Sequence, residues 1–189
     1  MGKREDLLDA ALQIITERGI RGLTLPLLFD RAGTGSGTFY HYFKGIEPMV
    51  EELYLHCCEI AEHEITEKDD PELGVHERFD NVLANVFQAH RDYPREMRFI
   101  YWHAYGLLAP DAAQSTPVPS ISLLTEIISL GQDEKLITRG APAEVSARMI
   151  RGMVASCLWG QEQELYLLTE EGSYWFAKRA WHLIENARI

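Results

Sequence analysis

The sequence has little that would tie it to a membrane, an oxidising compartment or a catalytic centre. No window of its 189 residues approaches the roughly 18 consecutive apolar residues of a membrane span, and the opening MGKREDLLDA lacks the apolar run of a signal peptide. No membrane partner is expected, and a cytoplasmic location is. Cysteine is scarce: Cys57, Cys58 and Cys157 are odd in number and show no CxxC spacing, which excludes a disulfide framework and a zinc ribbon. GxSxG and HExxH signatures are absent, so nothing specific supports an enzyme. His56 and His63, one heptad apart beside Cys57 and Cys58, come nearest to a metal site but lack a third and fourth ligand. Neither a metal nor another cofactor is expected.

Positive charge is also in short supply. Eighteen Lys and Arg face 29 Asp and Glu, for a net charge of −11, which by itself argues against a polyanionic partner. The deficit is uneven, however. Between Arg18 and Ile46 the chain carries Arg18, Arg21, Arg31 and Lys44 against Asp30 alone, a local charge of +3.

What is present is helical periodicity. In REDLLDAALQIITER, residues 4–18, Leu7, Leu8, Ala11, Leu12 and Ile15 share one face of a 3.6-residue repeat, and Gly19 is a natural stop. Thr24 is placed to cap a second helix through LPLLFDRA, with Pro26 in its first turn and Gly33 at its end. A third short helix over 36–43 follows, then a fourth from about residue 46 with Met49, Val50, Leu53, Tyr54, Cys57 and Ile60 on its apolar face. TEKDDPELG, residues 66–74, is polar, broken by Pro71, and reads as a connection. Further helices are expected over 72–91, 94–108, 119–134, 142–164 and 170–187. The reading is all-α with about nine helices, in which a helix-turn-helix module over 1–46 precedes a larger helical domain over 47–189.

GTGSGTFYHYFKG, residues 33–45, carries the chemistry. Its glycines resemble a phosphate loop, but a helix precedes them and no GK[ST] follows, so the nucleotide-binding context is missing. Helix 24–32, a tight turn at Gly33 and a short second helix instead reproduce a helix-turn-helix, whose second helix enters the major groove of DNA. Glycines 35 and 37 would let that helix approach closely. Thr38, Tyr40, His41 and Tyr42 offer hydroxyl, ring and imidazole groups to phosphates and base edges, while Phe39 and Phe43 face the core.

Residues 5–54 as a whole, with the alanine-rich first helix ending ERG, the capping threonine, then RAG, GTFYHYF and Glu47, resemble the DNA-binding module of the TetR family of transcriptional regulators. The resemblance implies an all-helical homodimer that binds a palindromic double-stranded operator, usually as a repressor, and releases it when a small-molecule effector enters the C-terminal domain. By position it implies a DNA-facing set of Thr24, Ser36, Gly37, Thr38, Tyr40, His41, Tyr42 and Lys44. The chain departs from the family pattern at Leu25-Pro26, Phe29, Gly35-Ser36 and Ile46. An alternative therefore stays open: a TetR-like dimer with weakened or lost DNA binding that serves another partner.

Farther along, MRFIYWHAYGLL concentrates Phe99, Tyr101, Trp102, His103 and Tyr105, aromatics whose polar handles suit a pocket for a largely apolar or aromatic effector, with core packing as the alternative. Cys157, Trp159 and Tyr166 are candidates to close it. The last two helices resemble the family's dimerising pair, and Met149, Met153, Tyr174, Trp175, Trp181 and Ile184 are their candidate interface residues.

Overall fold

The computed structural model describes residues 2–103, 119–167 and 169–186, and among these the chain forms nine α-helices. They are α1 (Lys3–Arg18), α2 (Leu25–Ala32), α3 (Ser36–Tyr42), α4 (Ile46–Ala61), α5 (Val75–Asp92), α6 (Pro94–Arg98), α7 (Pro119–Asp133), α8 (Ala143–Glu162) and α9 (Glu170–Ile184). Wider, π-type turns follow α4 at Glu62–Thr66 and α6 at Phe99–His103. No helix among the described residues is long and apolar enough to cross a membrane. The chain divides into two compact units, Met1–Ile60 with Asp92–Pro117, and Ala61–Arg91 with Val118–Ile189.

The first unit is built around α1, which packs on α2, α3, α6 and the turn after α6. Its apolar stripe, Leu7, Leu8, Ala11, Leu12, Ile14 and Ile15, is almost wholly removed from water. Leu28, Phe39, Met49, Leu53, Met97 and Phe99 complete this core. Local signals set the boundaries. The Gly2 amide donates to the Glu5 carboxylate at 2.9 Å at the start of α1, and the Gly19 amide donates to the Ile15 carbonyl at 2.8 Å at its end. Gly33 closes α2 in the left-handed region, φ 57°, where a Cβ would be strained, and the next amide, Thr34, returns to the Phe29 carbonyl at 3.0 Å. Thr24 does precede α2 in extended conformation, but its hydroxyl makes no capping bond. The helix begins with the Thr24 carbonyl engaged by the Leu28 amide at 2.9 Å, and the Thr24 side chain is left exposed.

In the second unit α7 packs along α8 and against the Glu62–Thr66 turn. Its core is assembled from four helices: Val75, Phe79, Val82, Leu83, Val86 and Phe87 of α5, Leu124, Ile127 and Ile128 of α7, Ile150, Val154 and Leu158 of α8, and Phe176 of α9 are all buried. Aromatic contacts tie α5 to α9: Phe87 meets Phe176 edge-on at 5.2 Å, Phe79 meets Trp181 at 5.4 Å, and His76 stacks on Trp181 at 4.2 Å. Arg78, nearly inaccessible, donates from Nε and Nη2 to the two oxygens of Asp69 at 3.1 and 2.6 Å, and from Nη2 to Glu126 at 2.9 Å. These bonds fasten the 66–74 connection to α5 and α7. The segment joining α7 to α8 pairs with the end of α9, where the Thr138 amide donates to the Ile184 carbonyl and the Asn186 amide to the Leu136 carbonyl, both at 2.8 Å.

Several helix limits differ from the sequence reading. The last two helices stop at Glu162 and Ile184 rather than at residues 164 and 187. α5 begins at Val75 rather than residue 72, because the Asp70 carboxylate accepts the Glu72 amide at 3.0 Å and holds a turn there. The helix expected over 94–108 is regular only to Arg98 before its turns widen, and residues 104–108 lie outside the described residues.

Candidate nucleic-acid interface

α3 is two turns long and depends on one buried ring. Phe39 is fully buried, with its centroid 5.7 Å from both Phe29 and Phe43 and with Tyr40 edge-on at 5.2 Å. Phe29, one of the departures noted in the sequence, thus has a structural use: it supplies one wall of the socket for Phe39.

With Phe39 and Phe43 directed inward as the sequence implies, the remaining side chains of α3 face water. Ser36, Gly37, Tyr40, His41 and Tyr42 are exposed and Thr38 is half-buried, while Thr24 and Lys44 at the flanks are exposed too. Tyr40 keeps 59% of its surface accessible, a large aromatic area for a residue with no internal packing duty beyond the edge of Phe39. The His41 and Tyr42 rings meet edge to face at 4.8 Å, which orients one against the other. All eight sequence-derived positions therefore lie on α3 or immediately beside the turn-helix unit.

Glycines 35 and 37 are informative for what they do not need. Gly35 has φ −110°, open to any residue, and a Cβ at either position would meet nothing within 4 Å. Nothing among the described residues requires their lack of a side chain. The electrostatics are weaker than the residue count implies. Arg31 is held by Glu17 at 2.7 Å, which leaves Arg18, Arg21 and Lys44 as the exposed cations of the segment. No pattern in the sequence marks that pair, whose members lie 14 residues apart.

The other candidates fall in both units. Phe99 and Tyr101 are buried in the first unit. The side chains of Trp102 and His103, and all of Tyr105, lie outside the described residues. In the second unit Cys157 and Tyr166 do meet: the Tyr166 hydroxyl donates to the Cys157 carbonyl at 2.7 Å, and its ring covers Gly160 so closely that a side chain there would collide with it. Burial raises the Cys157 thiol above its ordinary range. Trp159 is half exposed.

On the two C-terminal helices Met149, Tyr174 and Trp175 are exposed and Met153 is half-buried, whereas Trp181 and Ile184 are buried in their own subunit. Lys178 lies over the Tyr174 ring and Arg179 over the Trp175 ring, at 4.5 and 5.3 Å. Among the described residues no group of three or more His, Cys, Asp and Glu is placed to hold a metal ion.

Residues 7–53, which span α1 to α4 and contain this surface, match the family model of bacterial regulatory proteins of the tetR family. Over these residues the chain is similar to the TetR family. Over 52 residues it is 44% identical to the HTH-type transcriptional repressor KstR2 of Rhodococcus jostii (strain RHA1), an alignment covering 28% of this chain and 26% of that protein. The match thus spans about a quarter of that relative's length. The TetR likeness of the fold extends much farther. A bacterial regulatory protein of the tetR family from Rhodococcus RHA1 superposes with a TM-score of 0.85 at 15% identity, covering 99% of both chains. AibR, solved in complex with isovaleryl coenzyme A and operator DNA, superposes with a TM-score of 0.74 at 18% identity, covering 96% of this chain and 97% of its own.

Proposed function

We propose that this TetR-like protein is a homodimeric, DNA-binding transcriptional repressor that releases a palindromic operator when a small, largely apolar or aromatic effector binds. The observation that carries the reading is the outer surface of α3: a helix anchored by Phe39 presents Ser36, Gly37, Thr38, Tyr40, His41 and Tyr42 outward with no internal use for most of them. Thr38 and Tyr42 serve as phosphate contacts with Thr24 and Lys44 beside them, while Ser36 and Gly37 lie where bases are read. The repressor role is supported by the likeness of the module to KstR2, and effector control by the fold shared with AibR. Phe99, Tyr101, Trp102, His103, Tyr105, Cys157, Trp159 and Tyr166 remain the proposed effector-responsive set. We assign the division of labour to residue 46, with DNA reading before it and effector binding and dimerisation after it.

The test is binding of the purified full chain to its own upstream DNA, compared with shuffled DNA, at low and physiological salt. Sequence-dependent binding is expected, with affinity falling by a logarithmic slope of about 0.9 per phosphate contact. With few exposed cations in the module, that slope should be shallow. No sequence preference at either salt concentration would replace this reading with that of a TetR-like dimer serving another partner.

A further inference from the structure

A cleft of about 560 Å³ opens within the first unit, lined by Arg4, Glu5, Leu8, Asp9 and Leu12 of α1, by Glu52, Leu53, Leu55, His56 and Glu59 of α4, and by Glu96 of α6. Its volume falls in the range of small-molecule sites, about 300–1,000 Å³. Its chemistry is divided. Four leucines give an apolar surface, of which Leu55 is left 48% exposed by the chain itself. Five carboxylates surround them.

The cations present do not balance those carboxylates. Arg4 holds Oε2 of Glu52 at 2.7 Å and Arg95 holds Asp9 at 3.1 Å, while Glu59 faces the imidazole of His56 at 3.9 Å. The other oxygen of Glu52, Oε1, is removed from water and accepts no hydrogen bond among the described residues. A carboxylate oxygen in that state carries an unrecovered desolvation cost, and it adds to the negative potential beside the cleft. Burial, with the negative charge of Glu96 adding to it, also raises the nearby Cys57 thiol far above its ordinary range.

We propose that this cleft is a binding site for a protonated amine carrying an apolar body of several carbons. The body covers the leucines, and Glu59 and Glu96 hold the ammonium at the rim. This ligand class differs from the apolar or aromatic effector proposed above, and its site lies on α1 and α4 rather than among the aromatic residues of that set. Because α1 also packs against α2 and α3, occupancy bears on the helices that hold the DNA-facing surface.

The experiment titrates hexylammonium chloride into the full-length protein without DNA, followed by calorimetry and by leucine-methyl NMR, with hexanol and hexanoate as neutral and anionic counterparts. One saturable site per chain is expected, with shifts at Leu8, Leu12 and Leu55 and with both counterparts at least about tenfold weaker, two rim charges at close range being worth roughly that much. Glu59→Gln and Glu96→Gln should each weaken binding about fivefold at low salt, without loss of helical content. Equal affinity for hexanol, shifts that map elsewhere, or no saturable binding would each overturn the proposal. No DNA is present, so failure here and failure of the operator reading are separate results.

Discussion

Phe39 and Tyr40 are adjacent in sequence and opposite in use, and substitution should separate the two uses. Phe39→Ala empties the socket formed with Phe29 and Phe43 and should cost about 3–5 kcal/mol of stability, read as a lower Tm. Tyr40→Ala removes a side chain that is 59% exposed, so stability should change by no more than about 0.5 kcal/mol while operator affinity falls. A Tyr40→Ala protein that unfolds early would show that the ring is packing rather than contact. The glycines permit a similar separation. Gly33→Ala forces a side chain into the left-handed region at φ 57° and should destabilise by about 1–2 kcal/mol. Gly37→Val meets no neighbour, so the protein should fold normally yet lose operator binding, because the new side chain occupies the space that the DNA backbone or base edge needs. Thermal unfolding and DNA titration of the same two variants distinguish these outcomes.

At the scale of helices, the charges between elements are where new behaviour arises. Asp80, on α5, has its carboxyl held above the usual range, chiefly by burial, with His76 and Lys178 opposing the shift. An acid raised in the folded state binds protons more tightly there than in the unfolded chain, so its ionisation opposes folding. That penalty is absent below the unfolded value of about 3.9 and grows as pH rises through the folded value. Asp80→Asn should therefore raise the Tm at pH 7 and lose that advantage near pH 3. Equal Tm values for the two proteins at neutral pH would contradict the sign. Arg78 shows the reverse dependence on partners: Arg78→Met leaves Asp69 without its bidentate donor, a loss of about 3–5 kcal/mol for a buried pair broken on one side. These elements also show what the sequence could reveal. The stripes of α1 and α4, the stop at Gly33 and the inward pair Phe39 and Phe43 follow from local periodicity and turn chemistry, and all were legible. Arg78 was not, because its partner Glu126 lies 48 residues away and no local pattern announces it. Thr24 misled for a related reason: residue type and position favour a cap, but a hydroxyl at the surface has water as a competing partner. The start of α5 was missed because Asp70 diverts the Glu72 amide into a turn before the apolar repeat begins.

For the molecule as a whole, the proposed function turns on association. The Arg18–Ile46 segment, with Arg18, Arg21 and Lys44 as its exposed cations on a chain of net charge −11, has little electrostatic attraction for DNA, so the proposed function calls for two modules acting together. The proposed two-fold dimer would supply this by presenting two recognition helices to half-sites about one helical turn apart, or a multiple of that. The surface available for it is apolar and lies on α8 and α9, where Met149, Trp175 and Leu183 are each about 60% exposed. Trp181 and Ile184 contribute less, because their own subunit already covers them. Met149→Glu combined with Trp175→Glu places two charges where each copy would desolvate them, so sedimentation equilibrium should find the parent chain dimeric and this variant monomeric. Since neither side chain belongs to the core, helical content should be unchanged. Operator affinity should fall by more than about tenfold, because binding one half-site no longer raises the effective concentration of the second module. A half-site duplex makes the argument selective: the parent dimer and the monomeric variant should bind it alike, since each then uses one α3. A variant that remained dimeric would move the interface away from this face, and one that became monomeric but kept full operator affinity would separate DNA reading from dimerisation altogether.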